Sequence, residues 1–379
     1  MKLPPLSLYI HIPWCVQKCP YCDFNSHALK QPLAEAEYVD ALLQDLAADL
    51  PLTGQRSLQS IFIGGGTPSL FTPEAIAESL AGVQRLIPFA DGIEITMEAN
   101  PGTVEAGRFA GFAKAGVNRI SIGVQSFAPQ QLQRLGRIHD PAQAIAAAQQ
   151  AAQAGLRSFN LDLMHGLPEQ TLEQALDDLR QAIALNPPHL SWYQLTIEPN
   201  TAFGARPPVL PEDDLLWEIQ EQGHRLLQEA GYQQYEISAY AKPGYQCQHN
   251  LNYWRFGDYL GIGCGAHGKL TQSDGRILRT VKIKHPKGYL DPTRSFLDQQ
   301  WDVNAEERPF EFFMNRLRLF EAVPIAEFTL RTGLPLEPLQ APLEQAVRQG
   351  LLRVEADHWH VTELGHRYLN QLLTLFLDT

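Results

Sequence analysis

Between residues 6 and 195, short apolar segments alternate with longer segments of helical periodicity. This alternation constrains the fold more than any other feature, because parallel strands need a long crossover, usually a helix, between one strand and the next. Right-handed crossovers of this kind build either a doubly wound sheet or an α/β barrel. The predicted strands are 6–12, 61–63, 93–97, 119–124, 158–164 and 190–195, and the predicted helices are 37–50, 74–87, 103–115, 141–154 and 171–185.

The positions of unusual residues favour the barrel. Cys15 follows the first predicted strand, the GGGTP segment at 64–68 follows the second, and Glu98 and Gln125 end the third and fourth. Asp162 lies within the fifth strand. In α/β barrels, functional side chains gather at the carboxyl ends of the strands, so these residues are expected to face one site.

Beyond residue 200 the alternation fades, which predicts further domains. We expect a barrel over 1–200, an extension over 201–305 that caps it or closes it laterally, and a small α+β domain over 306–379. The extension contains one clear helix near 212–230 and strands near 234–240. The last region is helical, then has strands at 351–354 and 359–361 and a final amphipathic helix, the order of a winged-helix-like domain.

The composition describes an ordinary globular protein. Of 379 residues, 44% are hydrophobic and the formal net charge is −12, which disfavours nonspecific binding to nucleic acid. No apolar segment is long enough for a signal peptide or a membrane span, so we expect a soluble, cytoplasmic protein. Peripheral membrane contact and the choice between monomer and homodimer stay open. The acidic balance also favours a lid or docking role for the last domain over DNA binding.

Three of the five cysteines form the segment CVQKCPYC, with C-x3-C-x2-C spacing. A compact loop of this kind can direct the thiolates of Cys15, Cys19 and Cys22 at three irons of a [4Fe–4S] cubane and leave the fourth iron open. A zinc site would need a distant fourth ligand. Three unrelated buried cysteines are the remaining alternative. His358 and His360, which flank Trp359 at strand spacing, are a weaker metal signal.

The cysteine spacing resembles the signature of the radical S-adenosylmethionine superfamily. That resemblance implies a partial (β/α)6 barrel in which S-adenosylmethionine binds the open iron. The chain also resembles the oxygen-independent coproporphyrinogen III oxidase family over nearly its whole length, through six ordered motifs. These are YIHIPWC (9–15), IGGGTPS (63–69), MEANPGT (97–103), ISIGVQSF (120–127), LGRIH (135–139) and NLDLMHGLP (160–168).

The resemblance implies a set of S-adenosylmethionine contacts. Glycine-rich turns let backbone groups approach a ligand, carboxylates accept from ammonium and hydroxyl groups, and arginine can bind a carboxylate. The alternatives are a tight strand-to-helix turn, structural salt bridges under the barrel mouth, and tyrosines that only pack. The implied contacts are Tyr9, Tyr21, Gly65, Gly66, Thr67, Glu98, Gln125, Arg137 and Asp162.

Two departures separate this chain from the decarboxylating enzymes. Phe24 stands where those enzymes have one more cysteine, and the first strand begins by residue 6, without their longer N-terminal extension. The chain instead resembles the HemW-type haem chaperone branch, which is marked by HNxxYW. This motif is present here as His249, Asn250, Tyr253 and Trp254.

The resemblance implies that these four residues bind haem, since imidazole and tyrosine ligate haem iron and aromatic rings pack against a porphyrin. A packed aromatic turn is the alternative reading of HNLNYW. Cys247, Cys264 and His267 are rival ligands, the last two within GIGCGAHG.

The resulting hypothesis is a protein that binds haem and transfers it to acceptor haemoproteins, with respiratory ones as candidates. It would carry a [4Fe–4S] cluster and S-adenosylmethionine, and no residue is assigned to catalysis. The alternative is an oxygen-independent coproporphyrinogen III oxidase, which would use a radical to decarboxylate two propionates. A redox-sensing regulator, whose last domain docks on nucleic acid or protein, is the third reading.

Overall fold

The computed structural model describes residues 2–377. The strands are β1 Leu6–Ile12, β2 Trp14–Cys15, β3 His27–Ala28, β4 Leu58–Gly65, β5 Phe89–Ala99, β6 Arg119–Gln125, β7 Ser158–His165, β8 His189–Gln194, β9 Gln233–Glu236, β10 Ala239–Ala241, β11 Asp258–Gly263, β12 His267–Thr271, β13 Ile277–Lys282, β14 Leu297–Asp302, β15 Val323–Pro324, β16 Leu352–Glu355 and β17 His358–Val361. The strand order in the main sheet is β14-β13-β12-β11-β1-β4-β5-β6-β7-β8-β10-β9.

Strands β1, β4, β5, β6, β7 and β8 are mutually parallel, and each is followed by one or more helices. This arrangement confirms the predicted partial (β/α)6 barrel. The helices are α1 Glu35–Asp49, α2 Pro73–Leu86, α3 Thr103–Ala106, α4 Phe109–Ala115, α5 Pro129–Arg134, α6 Pro141–Gln153, α7 Leu172–Ala184, α8 Ala202–Ala205, α9 Asp213–Glu229, α10 Gln248–Trp254, α11 Pro286–Tyr289, α12 Arg308–Arg316, α13 Ile325–Thr332, α14 Gln340–Arg348, α15 Glu363–Arg367 and α16 Leu369–Thr374.

The barrel strands are buried along almost their whole length because both faces of a parallel sheet are covered. In β1, for example, six of the seven residues are buried. The apolar faces of α1, α2, α6 and α7 pack against these strands to form the main core. Capping boxes at Asp140 and Thr171 start α6 and α7 at the residues that the helical pattern predicts.

The extension lengthens the sheet at both edges. Strands β9 and β10 add to the β8 edge, where β10 pairs antiparallel with β8. At the other edge, β11 pairs parallel with β1, and β12 to β14 continue antiparallel from it. Because β11 flanks β1, the segment that precedes it, which contains HNxxYW, lies beside the start of the barrel.

The C-terminal region forms a three-stranded sheet in the order β15-β17-β16 with α12, α13 and α14. This is the winged-helix order that the sequence predicts. Its core continues into the extension, where the ring of Phe256 lies 5.7 Å from that of Phe312. Apolar side chains of the extension and of the C-terminal region are therefore buried in one common core.

Two helices that the sequence predicts as continuous are each divided into two shorter helices in the structure. The helix predicted over 103–115 is two helices, α3 and α4, and the interruption includes Gly107, a residue with lower helix propensity than any other except proline. The final helix is also divided, into α15 and α16, at Tyr368, whose backbone is not helical. Within residues 2–377, no helix has the length and apolar character required to cross a bilayer.

Candidate functional site

The three cysteines of CVQKCPYC lie on the loop that follows β1. All three are partly exposed and none forms a disulfide. The short parallel pair β2 and β3 closes the base of this loop, and the amide of Cys22 donates to the carbonyl of Cys19 at 3.2 Å. The thiols all line one cavity of about 310 Å³, which we call the cysteine cavity.

The arrangement of thiols does not suit a single metal ion. In the part of the chain that the structure describes, no three His, Cys, Asp or Glu side chains converge closely enough to hold one. A cubane instead takes each thiolate at a different iron, so its three ligands surround a larger volume. The loop therefore fits a [4Fe–4S] cluster better than a zinc ion.

The glycine-rich turn after β4 holds the base of the cysteine loop. The amide of Gly66 donates to the carbonyl of Ile12 at 2.7 Å, and the amide of Thr67 donates to that of Trp14 at 2.7 Å. A Cβ added to Gly66 would lie 2.6 Å from the oxygen of Trp14, a separation that no real side chain tolerates. Only glycine lets the two loops approach this closely.

Two carboxylates face the same cavity. Glu98 Oε2 accepts from the amide of Gly65 at 3.1 Å, and Asp162 Oδ2 accepts from the hydroxyl of Ser121 at 3.0 Å. Burial, and then the charge of Asp162, raise the pKa of Glu98 to about 7. Burial also raises the pKa of Asp162. A cationic ligand would favour the ionised form of both groups.

Gln125 ends β6 in a left-handed backbone conformation, with φ of 70°. Few residues other than glycine adopt this conformation, and such positions concentrate at binding sites. The hydroxyl of Tyr193, on β8, donates to Gln125 Oε1 at 2.9 Å and so fixes the amide at the cavity wall.

Arg137 connects the cavity wall to the cysteine loop. Its Nη2 donates to the carbonyl of Gly123 at 2.6 Å and to Asn100 Oδ1 at 2.8 Å. Its Nη1 lies 3.6 Å from Cys19 Sγ. The Nε is buried and has no hydrogen-bond partner among the described residues, which fits a ligand acceptor at this point.

Most of the implied S-adenosylmethionine contacts meet in the cysteine cavity, and Tyr9 does not. Tyr9 lines a neighbouring cavity, and its hydroxyl lies 2.8 Å from His11 Nδ1. The polar side chains of Asn100, Ser121 and Tyr193, which the sequence did not predict as contacts, are among the others that line the cysteine cavity. Asn100 belongs to the MEANPGT motif, and its polar amide could have predicted a ligand contact there. The implied contacts that line the cavity are Tyr21, Gly65, Gly66, Thr67, Glu98, Gln125, Arg137 and Asp162.

The neighbouring cavity, called the second cavity below, has a volume of about 610 Å³. It shares Phe24, Gly65 and Glu98 with the cysteine cavity, so the two adjoin. Tyr253 and Trp254 of HNxxYW form part of its wall. Phe24 is 61% exposed and lies where the two cavities meet.

The other two residues of HNxxYW do not line either cavity. His249 is fully buried in α10, and its ring nitrogens form hydrogen bonds of 2.8 Å with the hydroxyls of Ser60 and Tyr253. Burial, followed by the charge of Arg119, lowers the pKa of His249 to about 3. Asn250 is partly buried beside it. Tyr253 and Trp254 therefore line the second cavity, and His249 and Asn250 lie outside its lining.

The other candidate haem ligands, Cys247, Cys264 and His267, differ in their burial. Cys247 and Cys264 are fully buried, and burial raises the pKa of each thiol to about 12. His267, in contrast, is exposed and lines the second cavity. The rings of His358 and His360 share one face with centroids 6.4 Å apart, but no third donor joins them within residues 2–377.

Two segments of the chain match known protein families, and the whole chain has close relatives. Residues 9–182 match the Radical SAM superfamily and residues 303–368 match the HemN C-terminal domain. The haem chaperone HemW of Escherichia coli K12 is 65% identical over 377 residues, 100% of this chain and 99% of that protein. The haem chaperone HemW of Haemophilus influenzae is 63% identical over 380 residues, 99% of each chain.

Among solved structures, the coproporphyrinogen III oxidase HemN from Escherichia coli matches with a TM-score of 0.83. The two chains are 24% identical, and the match covers 100% of this chain and 91% of the other. At that identity the likeness shows the fold alone.

Proposed function

The chain belongs to the haem chaperone HemW family of the radical S-adenosylmethionine superfamily, and we propose from this that it binds haem and transfers it to acceptor haemoproteins. Respiratory haemoproteins are candidate acceptors. The transfer is binding chemistry, in which the protein protects haem between its source and its acceptor and changes no bond in the porphyrin.

The observation that carries the proposal is the wall of the second cavity. Tyr253 and Trp254 of HNxxYW line a space of about 610 Å³. That volume lies within the range of about 300–1,000 Å³ that holds cofactor-sized ligands in proteins. Aromatic side chains provide flat apolar surface against which a porphyrin can stack. The space also opens towards solvent, because His267 and Met314 on its wall are exposed.

The cysteine cavity supports a second element of the proposal. Cys15, Cys19 and Cys22 would hold a [4Fe–4S] cluster, and Glu98, Asp162 and the glycine turn would bind S-adenosylmethionine beside it. When bound, these groups supply redox chemistry. Since the two cavities share Gly65 and Glu98, occupancy of one can influence the other. The cluster and S-adenosylmethionine are therefore proposed to control haem uptake or release.

The decarboxylase alternative is not favoured. The relatives at 65% and 63% identity are haem chaperones by name, and the likeness to coproporphyrinogen III oxidase shows only the fold. Phe24, where that enzyme family has an additional cysteine, gives the junction of the cavities an apolar ring in place of a thiol.

The decisive experiment is anaerobic reconstitution of the cluster, followed by titration with haem and a coproporphyrinogen III turnover assay on the same sample. The Soret absorbance measures binding, and the appearance of protoporphyrinogen measures turnover. Stoichiometric haem binding without turnover is expected. Turnover without haem binding would contradict the proposal and support the decarboxylase function.

A further inference from the structure

The second cavity contains several side chains able to ligate iron, and they differ in whether their donor atoms are already engaged. From this difference we infer that His267 is the axial haem ligand and that His249 positions the aromatic wall. The inference rests on the proposed haem-binding function and assigns the residue that ligates the iron.

His249 is poorly placed to ligate iron. It is fully buried, and both ring nitrogens are engaged, one with Ser60 and the other with Tyr253. For either nitrogen to reach iron, one of these hydrogen bonds must break and the ring must leave its site. Breaking either bond would leave a buried polar group without its partner, which opposes ligation through this ring.

His11 lines the second cavity but is engaged in the same way. Its Nδ1 lies 2.8 Å from the hydroxyl of Tyr9, and its Nε2 lies 2.7 Å from the carbonyl oxygen of Asn25. The exposed fraction of the residue is only 5%. His11 therefore fixes the contact between β1 and the cysteine loop and has no ring nitrogen to offer.

His267 differs on both points. It is the first residue of β12, it is exposed, and it lines the second cavity. Its ring forms no hydrogen bond with any of the residues described. Imidazole is a common ligand of haem iron. His267 is thus an imidazole in the cavity with both ring nitrogens uncommitted.

The remaining donors of the cavity are weaker candidates. The hydroxyls of Tyr9, Tyr253 and Tyr259 each already form a hydrogen bond with His11, His249 and Arg279 respectively. Lys269 is 2% exposed and its amine pairs with Asp258. Met314 offers a thioether, and imidazole suits iron better than that softer donor does.

The backbone holds His267 at a defined point. The preceding turn contains Gly265 in a left-handed conformation, and its amide donates to the carbonyl of Ile283 at 2.8 Å. Asn25, three residues after Cys22, donates from Nδ2 to the carbonyls of Cys264 and Lys284 at 3.1 and 2.9 Å. The turn that carries His267 is therefore tied directly to the cysteine loop.

The role left to His249 is support. Its Nε2 is bonded to the hydroxyl of Tyr253, and its ring stands edge-on to that tyrosine with centroids 4.7 Å apart. The carboxylate of Glu94 accepts from the backbone amide of His249 at 3.1 Å. His249 thus holds Tyr253 at the cavity wall without entering the cavity.

The test compares His267→Ala and His249→Gln in the full chain with the cluster reconstituted, and His360→Ala in β17 serves as the control. Each protein is titrated with ferric haem, and the bound form is examined by absorbance and electron paramagnetic resonance. His267→Ala is expected to lose the spectrum of imidazole ligation and to weaken haem binding by about tenfold or more. Added free imidazole should restore the wild-type spectrum.

His249→Gln keeps a side chain able to bond Ser60 and Tyr253, so its bound haem should retain the wild-type spectrum. Loss of the imidazole spectrum in His249→Gln, with His267→Ala unchanged, would overturn the assignment. Failure of the wild-type protein to bind haem at all would instead remove the proposed function. Cluster absorbance in each sample separates these outcomes from loss of the cluster.

Discussion

Arg137 Nη2 donates to Asn100 Oδ1 at 2.8 Å, a hydrogen bond that joins two loops across the cysteine cavity. Asn100 also donates to Thr67 Oγ1 at 3.2 Å, and Thr67 Oγ1 lies 3.5 Å from Cys15 Sγ. A single amide therefore links the arginine, the glycine turn and the first cluster ligand.

Replacing this amide should impair S-adenosylmethionine binding. In Asn100→Ala, Arg137 Nη2 loses one of its two acceptors and keeps the carbonyl of Gly123, and hydrogen bonds to charged groups contribute about 1.5–3 kcal/mol. We expect the affinity for S-adenosylmethionine, measured by equilibrium dialysis, to fall about tenfold or more. Asn370→Ala, at an exposed position, is the control. Unchanged affinity in Asn100→Ala would show that this link is dispensable.

Gly66→Ala should prevent the cysteine loop from holding its cluster. The added Cβ would meet the backbone oxygens of Trp14 and Ile12 at 2.6 and 2.8 Å, and backbone cannot move aside as a flexible side chain can. Iron and sulfide content after reconstitution should fall while circular dichroism stays near wild type. Gly288→Ala, where the nearest atom belongs to the side chain of Arg294, should load fully. Equal loading of both variants would contradict the prediction.

The affinity for S-adenosylmethionine should rise with pH. Burial and the nearby Asp162 raise the pKa of Glu98 from 4.5 to about 7, so Glu98 is neutral in acid and gains its charge as pH passes 7. The ionised form attracts the cationic ligand, and binding should therefore tighten between about pH 6 and pH 8. Calorimetry across this range measures the effect. Glu98→Gln should flatten the dependence, and an undiminished slope would assign it to another group.

Phe256 should stabilise the contact between the extension and the C-terminal region. It is 1% exposed, packs against Phe312, and has the Lys269 amine 3.9 Å above its ring. Removing a buried phenylalanine side chain costs about 3–5 kcal/mol. Phe256→Ala should lower the free energy of unfolding by that amount in urea denaturation. Phe24→Ala, at a ring that is 61% exposed, should change it by about 0.5 kcal/mol or less.

Much of the fold follows from local patterns in the sequence. Apolar runs and helical periodicity predict the six barrel strands because each pattern reflects burial on one element. The spacing of Cys15, Cys19 and Cys22 predicts a shared site because all three lie on one short loop. The separation of α3 from α4 was missed, since a single glycine interrupts a helix only when packing does not compensate.

What the sequence determines by itself is the order of elements and the chemical types available at the ends of the strands. The environment of each side chain depends on residues far away in the chain. His249 is fully buried, and its ring bonds Ser60, which lies 189 residues earlier in the chain. Tyr9 lines the second cavity together with Tyr253 and Trp254, which lie more than 240 residues later in the chain. Only the tertiary structure distinguishes the buried His249 from the exposed His267, because burial and hydrogen bonding arise from long-range packing that no local pattern records.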